Sequence, residues 1–512
     1  MLGQEDFLRV QGLRLVNRRG KQVALRGTNL GGWLLREGWM DGAGAYEQSV
    51  ASSQTADAPI CLDLGERRRW NRLRVSGAQG DFLVFAGDTP DAMACVGQGS
   101  TRSVRPTVLC TGRPVPYVLG GNPYNEGCFF DGEAIHVNEQ RTRFIRVEGL
   151  NGAEVSVSYF GDADDFTVRA QLRRRFGEKR ARELLDAYQR AYITERDLDA
   201  LRDMGFNLLR VPIYWEQLMD PAGQLYEDGW ERLDWVIVGC AARNMYVIPD
   251  LHGLPGGQSG GILACGRRDA NAFWSDAACQ ERAIALLRAM ARRYRDVPAV
   301  AAYDLMNEPL PIGLDEARAE YKHGERYHLP QWIGQRIAEM FDRMLRAVRE
   351  VDPEHIASIS MFIDNDVLKA PRAYGWENVI YQTHTYSYGD WRSEQAMMEA
   401  ADAALEQHRA LLKRWQVPIL SGESNFWEST KVLERWLGGL NELGISWATW
   451  TYKNTDPQLR DHWGIRYAFD GMYPDCERDS DALILEKYER FTSDHYRLNE
   501  RLASALTSLA TR

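Results

Sequence analysis

The sequence predicts an α/β protein: a (β/α)8 TIM barrel with a β-rich domain, of β-sandwich type, inserted after the first barrel strand. Three observations lead to this prediction. Apolar, strand-like segments alternate with amphipathic helical segments over most of the chain. Glu308 and Glu423 each follow such a segment, where a carboxylate has no packing role. Residues 45–161 interrupt the alternation with short segments of strand period.

The bulk composition restricts the class of partner. The chain has 512 residues, of which 44% are hydrophobic and 26% charged, which is typical of a soluble globular protein. Its formal net charge of −10 disfavours nucleic acids and anionic membranes, because neither would release counterions to an acidic surface. No stretch approaches the roughly 18 apolar residues of a membrane span. A neutral substrate such as a glycan is compatible with this composition.

The first barrel strand is predicted at about residues 23–28, in the run Val-Ala-Leu-Arg-Gly-Thr-Asn. The chain begins Met-Leu-Gly-Gln-Glu-Asp-Phe, with two acids where a secretory signal has basic and then apolar residues. We therefore expect either an intracellular protein or one whose leader has been removed.

The segment 45–161 consists of short alternating stretches separated by Gly, Asp, Asn and Pro turns. Close spacing of short strands predicts a β-sandwich. The predicted domains are thus a catalytic barrel, formed by 1–44 and 162–512, and the insertion 45–161. The insertion is interpreted either as a carbohydrate-binding module or as a surface for self-association. Its aromatic residues could stack on sugars, but inward strand positions favour most of them as core: Trp70, Phe82, Phe85, Phe129, Phe130 and Tyr159.

Four cysteines cluster in the insertion, and they allow three disulfide pairings: Cys61, Cys95, Cys110 and Cys128. No Cys-x-x-Cys pair occurs, which disfavours a zinc site. We expect no metal and no cofactor.

Strands and amphipathic helices alternate again from about residue 166 to the end of the chain. Candidate strands end near Arg210, His252, Glu308, Ser360, His384, Glu423 and Trp450. With the strand at 23–28 they make eight βα units, and barrels of this kind carry their chemistry at the carboxyl ends of the strands.

The polar residues at these strand ends form one candidate site: Arg210, His252, Asn307, Glu308, His384, Glu423 and Trp450, with Tyr386 just beyond. Taken singly, buried Arg and His residues often serve structure, and a lone strand-end Glu is as often structural as catalytic. Together at one rim they favour function, because buried unpaired charge costs several kcal/mol. Two facing carboxyl groups are what cleavage of a glycosidic bond requires: a proton donor, and a nucleophile or base.

Several motifs resemble glycoside hydrolase family 5. Asn307-Glu308-Pro309 follows an apolar strand, Glu423 follows Val-Pro-Ile-Leu-Ser-Gly, and His384-Thr-Tyr386 lies between them. Four further segments resemble the yeast-type exo-β-1,3-glucanases of that family: Arg26 to Trp39, Ile193-Thr-Glu-Arg-Asp, Gly205 to Ile213 and Asp250-Leu-His-Gly-Leu-Pro-Gly-Gly-Gln. The resemblance covers about 1–44 and 165–460.

The resemblance implies a hydrolase that cleaves β-glucans by double displacement, as a glucan 1,3-β-glucosidase that releases single glucose units. It implies Glu308 as the acid/base and Glu423 as the nucleophile. Arg210 and the Tyr386 hydroxyl would keep Glu423 ionised. Asn307 would hold the 2-hydroxyl of the sugar.

The remaining substrate-binding residues are expected around this pair. His252 and His384 would bind hydroxyls or orient the carboxylates, and Trp450 would form the floor under the reacting ring. In the yeast-type enzymes the acid that matches Glu37 grips hydroxyls of the terminal glucose, although from the sequence alone Glu37 is equally a solvated loop acid.

Other interpretations stay open at this point. The chain could be an endo-β-1,4-glucanase, another β-glucosidase-type member of the family, or a glycolipid-cleaving relative. From a different class, it could be a non-catalytic glycan-binding protein that kept a barrel, against which the retention of both glutamates argues. The insertion, and the segment 453–476, depart from the family pattern.

Overall fold

The protein divides into two compact units. The computed structural model describes residues 1–37, 40, 45–54, 59–78, 80–100, 107–109, 128–130, 134–162, 164–261, 263–267, 270–313, 329–386, 393–425, 429–455, 464–467 and 469–511. The first unit comprises Met1–Asp41, Asp164–Pro474 and Asp479–Arg512, and the second comprises Gly42–Ala163 and Asp475–Arg478.

The first unit contains a closed barrel of eight parallel strands. In barrel order these are β12 (Leu208–Tyr214), β13 (Tyr246–Gly253), β14 (Ala302–Asp304), β15 (Ile356–Ser360), β16 (Val379–Tyr386), β17 (Ile419–Asn425), β18 (Ser446–Thr449) and β3 (Arg26–Asn29). Every residue of β12 and β13 is buried, as the continuous apolar runs predicted. The predicted TIM barrel is confirmed, although its first strand starts at Arg26.

Helices lie between the barrel strands and after the last of them. They are α1 (Asp165–Tyr192), α2 (Glu195–Asp203), α3 (Glu231–Ala242), α4 (Ala277–Tyr294), α5 (Gln331–Arg349), α6 (Glu394–Trp415), α7 (Thr430–Leu443), α8 (Asp481–Glu489) and α9 (Glu500–Ala510). Side chains at the residue before the helix cap α4, α6 and α7, where Asp276, Ser393 and Ser429 accept a hydrogen bond from a first-turn N–H. Within the described residues, no helix has both the length and the apolar character needed to cross a bilayer.

An N-terminal hairpin closes the amino-terminal end of the barrel. Strands β1 (Leu8–Gln11) and β2 (Arg14–Asn17) pair antiparallel. Leu8 and Leu15 belong to the same buried cluster as Leu208, Ile248 and Leu420 of the barrel strands. Apolar side chains therefore fill the amino end of the barrel, and the polar strand-end residues lie at the opposite, carboxyl end.

The second unit is built from antiparallel strands. They are β4 (Ala45–Gln54), β5 (Ile60–Ser76), β6 (Asp81–Gly87), β7 (Met93–Ser100), β8 (Thr107–Leu109), β9 (Cys128–Phe130), β10 (Ala134–Glu148) and β11 (Glu154–Asp162). They form one hydrogen-bonded sheet in the order β4-β11-β5-β10-β6-β7, with β8 and β9 joined to β10. The bounds 45–161 and the two packed layers of a sandwich stay predictions.

The aromatic residues of this unit mostly serve its core. Trp70 and Phe82 lie in a buried cluster with Ile60, Ile145 and Val155. Tyr159 is buried and Phe85 half-buried, while the side chains of Phe129 and Phe130 lie outside the described residues. Cys61 and Cys95 are exposed free thiols. Cys110 and the side chain of Cys128 lie outside the described residues.

Two further strands, β19 (Arg466–Tyr467) and β20 (Arg497–Leu498), pair antiparallel near the end of the chain. Short 3-10 helices lie at Gln4–Asp6, Trp215–Gln217, Asp228–Trp230, Leu263–Cys265, Ala272–Trp274, Pro371–Ala373 and Ser493–His495.

Candidate active site

The two glutamates singled out in the sequence meet at the carboxyl rim of the barrel. One carboxylate oxygen of Glu308, one of Glu423 and a ring nitrogen of His384 all lie within 4.8 Å of one another. Both glutamates are buried, with 6% and 4% of their surface exposed. In retaining glycosidases the two carboxyl groups stand about 5 to 5.5 Å apart, whereas inverting enzymes need more room for a water molecule.

A β-bulge turns Glu423 into the barrel. Thr383 pairs with Ser421, but His384 pairs with Glu423, so that Gly422 is an extra residue in β17. Successive side chains of a strand point to opposite faces, and one extra residue therefore reverses the direction of every residue after it. Because of the bulge, His384 and Glu423 face the site together.

Glu308 lies beyond its strand rather than at its end. Strand β14 stops at Asp304, and Glu308 adopts a positive φ of 43° in the loop that follows. This left-handed conformation is unfavourable for a residue with a Cβ atom by roughly 1–2 kcal/mol, and such residues cluster at functional sites. The turn directs the carboxylate back over the rim.

Arg210 is the electrostatic centre of the site. Its fully buried guanidinium donates to Glu423 Oε1 at 2.7 Å, to Asp304 Oδ2 at 2.9 Å and to Asn307 Oδ1 at 2.8 Å. It also lies 2.9 Å from Asp250 Oδ2. Burial alone would lower the pKa of the guanidinium, but the three surrounding carboxylates raise it above its ordinary value. Arg210 is therefore permanently charged, and it favours the ionised form of its partners.

The environments of the two glutamates differ. Glu423 accepts hydrogen bonds from Arg210 and from the Tyr386 hydroxyl, the latter at 2.7 Å. Burial raises the pKa of Glu308 to about 7, while the charge of Arg210 acts in the opposite direction. Glu423 thus accepts two hydrogen bonds, one of them from a fixed cation, whereas Glu308 retains a proton near neutral pH.

His384 contacts both glutamates. Its Nδ1 lies 2.7 Å from Glu308 Oε1 and 3.4 Å from Glu423 Oε2. Burial lowers the pKa of His384 to about 4, so the ring is neutral above that pH.

His252 organises the opposite side. Its Nδ1 lies 2.5 Å from Asp250 Oδ2, and its Nε2 lies 3.1 Å from Asn307 Nδ2. Since an amide nitrogen can only donate, Nε2 is the accepting atom and Nδ1 carries the hydrogen. The ring stacks on Trp450 with 5.6 Å between centroids, and Glu37 Oε1 lies 3.8 Å from Nε2.

All nine site residues named from the sequence lie in this one network or next to it. Four further members were missed: Asn29, Asp250, Asp304 and Gln382. Asp250 begins one of the quoted motifs, and Asp304 lies in the apolar run before Asn307; an acid in an apolar run was a usable signal. Asn29 and Gln382 had no such signal, since a single amide near a strand end is common.

Asn29 ties three barrel strands together. Its amide nitrogen donates to the carbonyl oxygens of Gly422 at 2.9 Å and Thr449 at 3.0 Å. Its amide oxygen accepts from Arg210 at 3.0 Å. Asn29 thereby holds the bulge of β17 against the guanidinium.

The trio Glu308, His384 and Glu423 is also the set of described residues that could hold a metal ion. Arg210 and Tyr386 already donate to the two oxygens of Glu423. A cation at that carboxylate would compete with a fixed positive charge, so the arrangement suits proton transfer and nucleophilic attack better than metal binding.

Comparison with known proteins identifies the relatives of this chain. The sequence model of the family described as Cellulase (glycosyl hydrolase family 5) matches residues 176–456, which is more than half of the chain. This range includes Arg210, Glu308 and Glu423.

Two relatives and one solved structure illustrate the similarity. A "Beta-xylosidase" of Phanerodontia chrysosporium is 25% identical over 321 residues, covering 57% of this chain and 62% of the relative. A "Probable glucan 1,3-beta-glucosidase A" of Emericella nidulans is 27% identical over 277 residues, covering 52% and 62%. The crystal structure of a rutinosidase from Aspergillus niger superposes with a TM-score of 0.49 at 17% identity, covering 64% of this chain and 89% of that one. The chain spans about three fifths of the length of these two sequence relatives.

Proposed function

The chain belongs to glycosyl hydrolase family 5, and from that premise we propose that it hydrolyses β-linked glucosides with retention of configuration. The proposal depends on the separation of the two carboxyl groups. One carboxylate oxygen of Glu308 lies within 4.8 Å of one of Glu423. This spacing leaves no room for a water molecule between the anomeric carbon and the second carboxylate, so that carboxylate acts as the nucleophile.

In the first step Glu423 attacks the anomeric carbon while Glu308 protonates the leaving oxygen. The glycosidic C–O bond breaks, and an ester bond forms between the sugar and Glu423. In the second step Glu308, now ionised, removes a proton from water. The water oxygen bonds to the anomeric carbon and the ester bond to Glu423 breaks.

The charges around the two glutamates support this division of roles. Arg210 and Tyr386 stabilise Glu423 as an anion at rest and again when it leaves the sugar. Burial keeps Glu308 protonated near neutral pH, as a general acid requires.

For the substrate we propose a β-1,3-glucan, from which single glucose units are removed at the chain end. Relatives named as glucan 1,3-beta-glucosidases support the linkage. Glu37 supports exo action, because it is 97% buried beside His252 rather than solvated on a loop. A buried acid next to the sugar pocket suits recognition of hydroxyls at the end of a glycan chain.

A β-xyloside is the second candidate substrate. A relative named as a β-xylosidase favours it, and both sugars present the same equatorial hydroxyls apart from the hydroxymethyl group. An endo-β-1,4-glucanase and an inactive glycan-binding protein remain outcomes of the test below.

The test compares product sizes. Laminarin, carboxymethylcellulose, aryl β-glucoside and aryl β-xyloside are incubated with the wild-type protein and with the Glu423→Gln variant. Glucose alone from laminarin supports the exo-1,3 proposal, and short oligomers from carboxymethylcellulose would contradict it. Unchanged turnover by Glu423→Gln would overturn the assignment of the nucleophile, because an amide cannot form the ester.

For the β-rich unit we propose one of two roles, glycan binding or self-association. This unit has its own buried core around Trp70 and Ile145, and the buried cluster of the barrel strands contains none of its residues. Deleting 45–161 and measuring both glucan affinity and molar mass would distinguish a carbohydrate-binding module from a surface for self-association.

A further inference from the structure

Gln382 lies between the two halves of the catalytic network. It is fully buried on β16, two residues before His384 and on the same face of the strand. Its amide nitrogen donates to Asp304 Oδ2 at 2.8 Å and lies 3.3 Å from His384 Nε2. Gln382 thus connects the ion network of Arg210 with the histidine that contacts Glu308.

The chain makes room for this side chain at the bulge. A Cβ atom on Gly422 would lie 2.3 Å from the amide carbon of Gln382. Gly422, the extra residue that turns Glu423 inward, therefore also leaves the space that the Gln382 side chain occupies next to His384.

The surroundings determine which end of the amide faces His384. Asp304 Oδ2 accepts from Arg210 Nε at 2.9 Å, so it is an acceptor and must face the amide nitrogen of Gln382. The amide oxygen lies on the other side, 3.5 Å from Ser358 Oγ. The second amide hydrogen then points to His384 Nε2.

This contact has a consequence for the imidazole. Nε2 can accept a hydrogen bond only if it carries no hydrogen, and a neutral ring then carries its hydrogen on Nδ1. Nδ1 is the atom that lies 2.7 Å from Glu308 Oε1 and 3.4 Å from Glu423 Oε2.

We propose that Gln382 is a positioning residue that holds His384 as the Nδ1–H tautomer, so that Glu308 Oε1 receives a hydrogen bond in both steps of the reaction. With Oε1 accepting, the proton of Glu308 resides on Oε2, the oxygen left for the leaving group. In the second step the same N–H stabilises the carboxylate that takes the proton from water. The catalytic consequence depends on the proposed function, but the tautomer does not.

The opposite tautomer would be harmful. With its hydrogen on Nε2, the ring would present a lone pair to Glu308 Oε1. The protonated carboxyl would then donate to the histidine instead of the substrate. A purely space-filling role for Gln382 predicts no such dependence on the amide hydrogen.

The first experiment measures the tautomer directly. Protein labelled with ¹⁵N in histidine is studied by multiple-bond ¹H–¹⁵N correlation near pH 7, and the His384 signals are identified by their loss in His384→Gln. We expect Nδ1 protonated and Nε2 unprotonated in the wild type. In Gln382→Met, which keeps the side-chain length without a donor, we expect the hydrogen to shift wholly or partly to Nε2.

The second experiment measures acid catalysis. We expect Gln382→Met to lower kcat/KM for laminaribiose, whose leaving group needs protonation, by about 10- to 100-fold. For 2,4-dinitrophenyl β-glucoside, which leaves without protonation, the change should stay within about threefold. Ser358→Ala is the matched control: it touches the amide oxygen only and should preserve both the tautomer and the leaving-group dependence.

The outcomes separate this proposal from the proposed function. A wild-type His384 with hydrogen on Nε2, or on both nitrogens, overturns it even if Gln382→Met does not fold. An unchanged Nδ1–H tautomer in a folded Gln382→Met overturns it as well. If the wild type cleaves neither substrate, the proposed function fails, while the spectra still test the positioning.

Discussion

His384 stands opposite Glu423 in the register of two neighbouring barrel strands, although an uninterrupted register would put Gly422 there. This one-residue shift brings the histidine and the carboxylate to the same side of the barrel wall. The contacts of Glu423 with Arg210, Tyr386 and His384 depend on this shift. The predictions below follow from that geometry.

The pH dependence of activity should report Glu308. Glu308 is the proposed general acid, which must be protonated to act, and burial raises its pKa to about 7. We therefore expect kcat/KM to fall as the pH rises above about 7. The pH profile of the wild type checks this. In Glu308→Gln, tested on a substrate with a good leaving group, the basic limb should disappear. A basic limb that persists unchanged in that variant would assign it to another group.

Stability should show the cost of burying Glu308. The Glu308 carboxyl group binds its proton more tightly in the folded protein than in the unfolded chain. Its contribution to the free energy of unfolding therefore falls as the pH rises from about 4.5 to about 7, and it is constant above that pH. Glu308→Gln removes this loss and should therefore be more stable than the wild type by up to roughly 3 kcal/mol at pH 8, but not at pH 4. Urea unfolding at both pH values is the measurement. Glu339→Gln, at an exposed position of α5, should change neither value.

Removal of the central cation should destabilise the fold. Arg210→Met leaves Asp250, Asp304 and Glu423 without their buried partner and should cost about 3–5 kcal/mol. The loss should be larger at pH 8 than at pH 5, because burial raises the pKa of Asp250 to about 7 and lower pH neutralises it. Thermal and urea unfolding test this. Arg288→Met, which breaks an exposed pair with Glu350, should cost less than about 1 kcal/mol.

Substitution of Asn29 should lower both the stability and the activity of the protein. Asn29→Ala removes the side-chain donor to the carbonyl oxygens of Gly422 and Thr449, although Thr449 keeps the Thr28 hydroxyl as a donor. The variant should lower stability by about 1–3 kcal/mol. It should also reduce kcat/KM, since the bulge next to Glu423 loses its support. Asn29→Asp keeps the oxygen that accepts from Arg210 but has no N–H groups to donate to Gly422 and Thr449. A variant as stable to urea as the wild type would show that these two donated hydrogen bonds are unimportant.

The bulge itself can be tested at Gly422. In Gly422→Ala the new methyl group would displace Gln382, whose amide carbon lies 2.3 Å from the Cβ position. We expect kcat/KM to fall at least about tenfold, because displaced catalytic neighbours commonly cost that much. The control is Gly438→Ala on α7, where a Cβ meets nothing within 4 Å. It should stabilise the protein by about 0.5–1 kcal/mol and keep full activity.

Much of the fold and part of the site followed from local patterns. Continuous apolar runs bounded by polar residues predicted the eight barrel strands, and the polar residues after them predicted the rim. Glu308, Glu423 and Arg210 were recognisable because charge at the end of an apolar run has no packing explanation. The prediction that Glu308 ends its strand was wrong, since β14 stops at Asp304 and a turn with positive φ carries the glutamate.

The partners of those residues could not be predicted in this way. Asn29 and Gln382 are single amides, and their partners Gly422 and Asp304 lie more than 75 residues away from them in the chain. Asp304 is the last residue of an apolar strand, and its partners Arg210 and Gln382 come from other strands.

The sequence by itself determined the barrel, its polar rim and the two carboxyl groups, because strand period and isolated charge are local properties of the chain. Only the tertiary structure decided which way those groups point and how they are charged. The direction of Glu423 depends on its register with β16, which one extra residue reverses. The pKa of Glu308 depends on burial by residues from other strands.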